Sequence, residues 1–554
     1  MSEEKIWISH YPPHLPSTID MSQYSSLVDF FEDICKRYKH RVAFESLGVE
    51  LTYEKLYEAV NRVGSYLQQV LGIQKGDRVA IMLPNVLQYP ILFFAILKIG
   101  GVVVNVNPLY TAREVAHQLK DAGAKAAIVL ENFAHTLGSC MEETRLQSVI
   151  VAKFSDFFPP WKSYFVDFIL KYVKRVIPSW HIKKVVFFKE MMEHKENRVL
   201  NPVPLCLEDL ALLQYTGGTT GISKGAELTH GNLVANLLQT SAWLQTAFDK
   251  EEEHEALSAL PLYHIFALTV NLLTFMYFGT TNHLIANARD LSSLITCFQK
   301  HKIHALTGVN TLFNALVNHP SFEKLDFSVL RCTFGGGAAV QRSVAEKWQR
   351  VTGCPLIEGY GLTECSPVVT VNLLETKEFS GGIGFPIPST EVSIRNEEGN
   401  VVPYEEPGEL CVRGPQVMRG YWKNPEETAK AFFPGGWLRT GDLATMDHRG
   451  FIRMLERKKD MIIVSGFNVY PNEVEEVLAT HPGIKEVAVV GVTSEKSGEQ
   501  VKAIIVKKNP DLTEEEVIAY ARTQLTGYKI PKLVEFTSEL PKSTVGKILR
   551  RNLR

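Results

Sequence analysis

At 554 residues the chain is too long for one ordinary hydrophobic core, so two or more domains are predicted. Its 45% hydrophobic and 22% charged residues are globular in balance, and a net charge of −2 gives no reason to expect a nucleic-acid partner. Eight cysteines are scattered without a CxxC pair or a His/Cys cluster, a spacing that argues against a zinc site or a disulfide framework and suits a reducing cytosol.

The N-terminus, Met1 to Pro16, is polar and proline-punctuated, so no secretory leader is predicted. No apolar run approaches the length of about eighteen residues that a spanning helix needs. The longest stretches, Tyr89 to Leu97 and Ala267 to Phe278, predict buried helices. Tyr53 to Leu71 carries Leu56, Val60, Val63 and Leu67 at helical spacing, and Ala112 to Ala122 predicts a second helix. Arg78 to Leu83, Val102 to Val106 and Ala126 to Leu130 predict strands. Such alternation implies βαβ units and mostly parallel sheets in an α/β fold.

Residues 151–184 interleave aromatic and basic side chains. Phe154, Phe157, Phe158, Trp161, Tyr164, Phe165, Phe168, Tyr172 and Trp180 alternate with Lys162, Lys171, Lys174, Arg175, Lys183 and Lys184. From Trp161 the apolar residues return at helical spacing. An amphipathic helix of this composition suits a membrane interface, and a surface helix docked on the core is the plainer reading.

After the apolar run Leu210 to Leu213 comes Tyr-Thr-Gly-Gly-Thr-Thr-Gly-Ile-Ser-Lys-Gly, residues 215–225. Thr216, Gly217, Gly218, Thr219, Thr220, Gly221 and Lys224 combine a turning backbone, hydroxyl donors and a cation. These are the parts of a polyphosphate cradle. The Walker pattern does not fit, because Ser223 rather than glycine precedes Lys224. Further on, Tyr263 and His264 lie in the apolar segment Leu260 to Phe266, where a lone histidine is more often packed than catalytic. Gly335, Gly336 and Gly337 permit close backbone approach to a ligand.

Glu358-Gly359-Tyr360-Gly361-Leu362-Thr363-Glu364 offers a ring flanked by glycines, suited to a flat ligand such as adenine. Glu364 is a hard oxygen donor of the kind Mg²⁺ prefers when it also holds phosphates. Asp442, beside Gly441, could accept both hydroxyls of a ribose, with Arg457 reinforcing it. A hairpin over Asp447 to Glu456 precedes a charged break at Lys458-Lys459-Asp460. The rest predicts a small α/β domain: strands at Met461–Val464, Val487–Val492 and Val501–Lys507, and helices at Asn472–Ala479 and Thr513–Leu525. The second helix carries a capping box of Thr513 and Glu516. In the basic tail, Lys547 could reach across a domain cleft as a point charge.

Taken in order, these strings resemble the adenylate-forming superfamily of acyl-CoA synthetases, luciferase and peptide-synthetase adenylation domains. The matching segments are 215–225, 260–264, 335–337, 358–364, 437–442, 456–460, 465–475 and 541–547. The segments 260–269, 307–316 and 524–536 are most similar to bacterial long-chain fatty-acid–CoA ligases. The resemblance implies a large N-terminal adenylation domain of several subdomains, residues 1–457, with mixed and parallel sheets. It implies a small mobile C-terminal domain, residues 458–554, turning about a hinge at Lys459.

The implied activity is formation of acyl-AMP from a fatty acid and MgATP, then thioester formation with CoA. The loop Gly217 to Lys224 would hold the β- and γ-phosphates. Thr363 would touch the α-phosphate, and Glu364 with Thr220 would hold Mg²⁺. Gly335 to Gly337, Glu358, Gly359 and Tyr360 would bound the adenine, with Asp442 and Arg457 on the ribose. Lys547 would stabilise charge in the first step. His264 would sit near the carboxylate and the pantetheine channel, which Gly466 would line. Tyr263, Ala267, Gly308 and Val309 would wall the acyl pocket.

Two departures from the family pattern stand out. Glu456 occupies a position where aspartate is usual, and Leu268 brings no tryptophan gate near His264. The implied partners are fatty acid, ATP and CoA, a peripheral contact with the inner face of the membrane from the cytoplasm, and homodimerisation as an option. A medium-chain or aryl-acid ligase, and a catalytically silent lipid-binding protein, are the alternatives.

Overall fold

The computed structural model describes residues 5–194, 200–216, 223–494, 497–543 and 546–554. Two large sheets dominate. The first has seven strands in the order Val185–Phe187, Ser148–Ala152, Ala126–Leu130, Arg78–Met82, Val102–Asn105, Leu210–Thr216 and Lys224–Thr229. All its pairs are parallel except the last. The second has nine, in the order Phe385–Pro386, Val368–Val371, Leu356–Gly361, Cys332–Gly335, Ile303–Gly308, Glu255–Ser258, Thr281–Leu284, Val42–Ser46 and Val49–Thr52. Its middle is parallel and its two ends antiparallel.

The strands predicted near residues 78, 102 and 126 end within a residue of their expected limits. They are buried on both faces, which is why they read as unbroken apolar runs. Local signals set the helices between them. Thr52 Oγ1 accepts from Lys55 N at 3.2 Å and opens Tyr53–Gln69. Thr111 and Glu114 form a capping box on Ala112–Ala122, and Gly123 closes that helix in the left-handed region at φ 63°.

Helix Gln88–Lys98 is buried from Gln88 to Leu97, and Phe94 stacks on Phe31 with centroids 4.3 Å apart. The segment Ala267–Thr274, a π-helix, is likewise wholly buried. Both expected buried helices are therefore core elements. They join helix His230–Leu244 in one apolar core beneath the two large sheets.

A third, antiparallel sheet contains Glu391–Arg395, Gly408–Arg413, Phe432–Phe433, Trp437–Met446 and Ile452–Arg457. The expected hairpin joins its last two strands. From Ile462 onward a separate five-stranded sheet forms, with helices Pro471–Ala479 and Glu514–Gln524. Its own core includes Ile462, Val474, Leu478, Val487, Ile505 and Val517. The capping box of Thr513 and Glu516 is present.

Helix Pro160–Phe168 continues into a π-turn, Ile169–Val173, and neither has a buried residue. Trp161 is 74% and Tyr164 77% exposed, with Phe165, Phe168 and Tyr172 also open. These aromatics therefore do not dock on the core, while Val166, Ile169 and Leu170 are half-buried. Among the described residues no helix is long and apolar enough to cross a membrane.

Candidate active site

Two parallel strands end in register beside a third that runs on to Gly361. Gly308 pairs with Gly335, and Gly335 with Glu358. Carboxyl ends of parallel strands are where open α/β sheets place their ligands. Tight packing accounts for the glycines. A Cβ at Gly335 would meet Val340 Cγ2 at 2.6 Å, and one at Gly336 would meet the Phe266 ring at 3.1 Å and the Gly359 carbonyl at 3.3 Å. Gly337 has φ 76°. The Glu358 side chain sits beneath this turn and accepts from Val340 N at 3.1 Å. Burial, with the charge of Glu476, pushes its carboxyl up to about 8.

Tyr360 and Asp442, far apart in sequence, are bonded: the Tyr360 hydroxyl donates to Asp442 Oδ2 at 2.6 Å. Strand pairing sets Arg457 opposite Asp442, with Nε 3.6 Å from Oδ1. Thr363 and Glu364 form a short turn after strand Leu356–Gly361. Glu364 Oε1 accepts from the Tyr421 hydroxyl at 2.8 Å, and its carbonyl from Met418 N at 2.7 Å. Burial raises the Glu364 carboxyl, while the Tyr421 hydroxyl and the Arg457 charge oppose that rise.

Thr216 and Lys224 face each other across the antiparallel edge of the seven-stranded sheet. Gly217, Gly218, Thr219, Thr220 and Gly221, the core of the expected phosphate cradle, lie outside the described residues. Lys224 is ion-paired with Glu427, and its ammonium lies 5.3 Å from the centre of the Tyr421 ring. Lys224 and Lys430 hold the Glu427 carboxyl down to about 2. Tyr421 and Glu427 thus link the lysine of the cradle to Glu364. Sequence reasoning missed both, since neither lies in a motif; backbone bonds linking Arg419, Gly420 and Trp422 to Gly225 and Glu227, with the bridge between Ala226 and Tyr421, bring that loop alongside.

The tail reaches this same place. Gly546 has φ 81°, and its carbonyl accepts from Thr311 Oγ1 at 3.0 Å, at the start of helix Asn310–Val317. A Cβ at Gly546 would meet that hydroxyl at 2.7 Å. Lys547 follows, close enough for the Arg457 and Asp442 charges to act on it and for its own charge to act on His264. Burial, then the Arg457 charge, pushes its ammonium down to about 8. His264 is pushed down to about 4, by burial and then by Lys547, so its ring is neutral at pH 7. Phe266 N donates to His264 Nδ1 at 3.4 Å, which leaves the ring proton on Nε2.

Tyr263, Ala267 and Val309 are buried beside this point, and a Cβ at Gly308 would press on the Phe313 ring at 2.9 Å. Gly466 needs its left-handed backbone, at φ 84°, and a Cβ there would meet nothing within 4 Å. In this arrangement it is conformation, and not crowding, that calls for glycine at 466. Lys459 lies in the turn after Arg457, where its carbonyl accepts from Arg554 at 3.1 Å. Glu456, where the family pattern has aspartate, is buried and bonded to Arg550 at 2.8 Å, Arg457 N at 2.9 Å and Asn472 N at 3.0 Å. Its extra methylene therefore sits inside a satisfied structural network.

A family model described as AMP-binding enzyme matches residues 31–422, and the AMP-binding enzyme C-terminal domain matches residues 473–547. The chain is 52% identical to a long-chain-fatty-acid–CoA ligase of Escherichia coli O6:H1, over 100% of this chain and 98% of that one. Among solved structures it is similar to the anthranilate CoA ligase AuaEII in complex with anthranoyl-AMP. The TM-score is 0.84 and the identity 25%, over 97% and 98% of the two chains. ATP-bound MatB from Rhodopseudomonas palustris matches with a TM-score of 0.78 and 27% identity, over 95% and 98%.

Proposed function

This chain belongs to the AMP-binding enzyme family, and from that premise we infer that it is a long-chain fatty-acid–CoA ligase. Its substrates are a fatty acid, ATP and CoA, with Mg²⁺. A carboxylate oxygen of the fatty acid attacks the α-phosphorus of ATP, and the bond to the β-phosphate breaks as pyrophosphate leaves. The CoA thiol then attacks the carbonyl carbon of acyl-AMP. The acyl–phosphate bond breaks, AMP departs and the thiol proton passes to solvent.

The single observation that carries the assignment of roles is the convergence of Lys547 on Asp442, Arg457 and His264. Lys547 holds a positive charge where charge accumulates in the first step. Asp442, oriented by Tyr360 and paired with Arg457, accepts the ribose hydroxyls. Gly335 to Gly337, held by Glu358, and Gly359 give the adenine a surface without side chains. Thr363 donates to the α-phosphate. Thr216 to Lys224 cradle the outer phosphates. His264, neutral, contributes a ring N–H near the carboxylate without a competing charge.

Glu364 fits a hard cation, because it offers a carboxylate oxygen whose uncompensated charge is disfavoured by burial. Glu364 with Thr220 would hold Mg²⁺, whose charge would neutralise the phosphates. Tyr263, Ala267, Gly308 and Val309 offer the acyl chain an apolar wall with no ionic partner. Gly466 lines the pantetheine path.

Two domains, residues 1–457 and 458–554, turn about Lys459 between the steps, a reading supported by the separate apolar core after Ile462. The exposed aromatics of Pro160–Phe168, with Lys162, Lys171 and Lys174 close by, support peripheral attachment to the cytoplasmic face of a membrane. ATP–pyrophosphate exchange with palmitate tests the reading. Pure protein with Mg²⁺ should exchange label; no exchange would sink the enzyme assignment and leave a silent lipid-binding protein.

A further inference from the structure

Four side chains distant in sequence meet on the nine-stranded sheet, away from the site described above. Glu45 pairs in register with His283 on neighbouring parallel strands. Glu255 opens the next strand, and His301 immediately follows helix Leu291–Lys300. Gly308, Gly335 and Glu358 mark the carboxyl ends of this sheet, whereas Glu255 and His301 lie at the amino ends of their strands. The His283 side chain is only 3% exposed, while Glu45, Glu255 and His301 remain partly open to solvent.

The contacts are close and directional. Glu45 Oε2 lies 3.0 Å from His283 Nδ1, and Glu255 Oε2 lies 2.7 Å from His283 Nε2. The same Glu255 oxygen is 3.3 Å from His301 Nδ1. The two imidazoles lie 3.9 Å apart between centroids, inclined by 38°. Glu45 is fixed from its other side, because Oε1 accepts from Gly48 N at 2.7 Å.

We propose that Glu45, His283 and His301 form a binding site for a divalent transition-metal ion of the zinc type, with Glu255 orienting both imidazoles. One ligand atom from each of the three lies within 4.8 Å of the others. Tetrahedral zinc bonds of about 2.0–2.1 Å set neighbouring ligands roughly 3.3 Å apart, so Glu45 and His283 are already at ligand spacing and His301 closes by up to about 1.5 Å, with water in the fourth position.

Glu255 supplies the outer layer that such sites use. A metal-binding histidine usually donates its other ring N–H to a carboxylate, which fixes its tautomer. Here one carboxylate oxygen faces Nε2 of His283 and Nδ1 of His301. That leaves His283 Nδ1, which faces Glu45, and His301 Nε2 as the ligating atoms. Two imidazoles and a carboxylate suit zinc-like ions better than magnesium or calcium, which favour all-oxygen sets.

The experiment strips the full-length protein with a chelator and titrates it with Zn²⁺ in excess Mg²⁺, which keeps the ATP-side carboxylate occupied. Calorimetry and elemental analysis should show one zinc retained per chain, with a higher melting temperature. Cobalt substituted into the wild-type protein should give the intense visible bands of four-coordinate Co²⁺, a readout that needs no variant. His301→Ala and Glu45→Gln should lose the tight equivalent, and Glu255→Gln should weaken it roughly 10–100-fold. Circular dichroism establishes that each variant is folded. Absence of stoichiometric uptake by wild type, or equal uptake by His301→Ala, would overturn the proposal and leave a histidine–glutamate ion-pair network.

Discussion

Lys547 brings its charge to the site only while its ammonium holds a proton. Burial lowers its pKa to about 8, so the charged form dominates below that value and is lost above it. The kcat/KM for ATP in pyrophosphate exchange should therefore fall about tenfold per pH unit above roughly 8, and Lys547→Arg should remove that alkaline limb. Lys547→Ala should abolish acyl-AMP formation but spare thioester formation from supplied acyl-AMP; equal loss of both refutes a role confined to the first step. Tyr421 makes a second residue-scale test, because its hydroxyl orients Glu364 at 2.8 Å. Tyr421→Phe should raise the Mg²⁺ concentration for half-maximal exchange roughly tenfold or more, as loss of an outer partner does at metal sites. Unchanged Mg²⁺ dependence would remove Glu364 from the metal role. Lys547 and Glu364 were legible as residues, since each sits in a distinctive string. Tyr421 and Glu427 were not, because neighbours in sequence carry no trace of contacts made across two sheets.

Among the elements, helix Pro160–Phe168 shows how far pattern alone reaches. Its interleaved aromatic and basic residues left a docked helix and a membrane helix both open. The fold leaves its large aromatics exposed, and no residue of the helix is fully buried. Replacing Trp161, Tyr164, Phe165 and Phe168 with serine should lower the partition constant for anionic vesicles at least tenfold, since each buried aromatic carries a large apolar area into the interface. Co-sedimentation that is unaffected would return the segment to an ordinary surface role. Other elements were legible nearly to the residue, such as Ala112–Ala122 and Glu514–Gln524, because capping boxes and apolar spacing act within one or two turns. The link between Arg550 and Glu456, Asn472 and Glu475 was not, because it joins three separate segments.

On the scale of the whole molecule, the tail is seated against helix Asn310–Val317 through Thr311 and Gly546, and Lys459 lies in the turn after Arg457. The flanking hydrogen bonds run from Lys458 N to Gly441 O and from Asp460 N to Arg457 O, so proline at 459 breaks neither. Proline does fix φ and restricts the residue before it. Lys459→Pro should thus leave acyl-AMP formation near its normal rate and slow thioester formation by tenfold or more, measured as separate single-turnover steps. Equal slowing of both steps would show that the turn serves stability and not rotation. The fold class, the order of the motifs and most element limits follow from signals only a few residues long: periodicity, caps and glycine-rich turns. The union of Tyr360 with Asp442, the seat of Lys547 beside His264, and the gathering of Glu45, Glu255, His283 and His301 from a sequence whose spacing argued against zinc do not. Those contacts depend on strand order and register across sheets, which local periodicity cannot specify, because many registers are compatible with the same apolar pattern until the sheets pack.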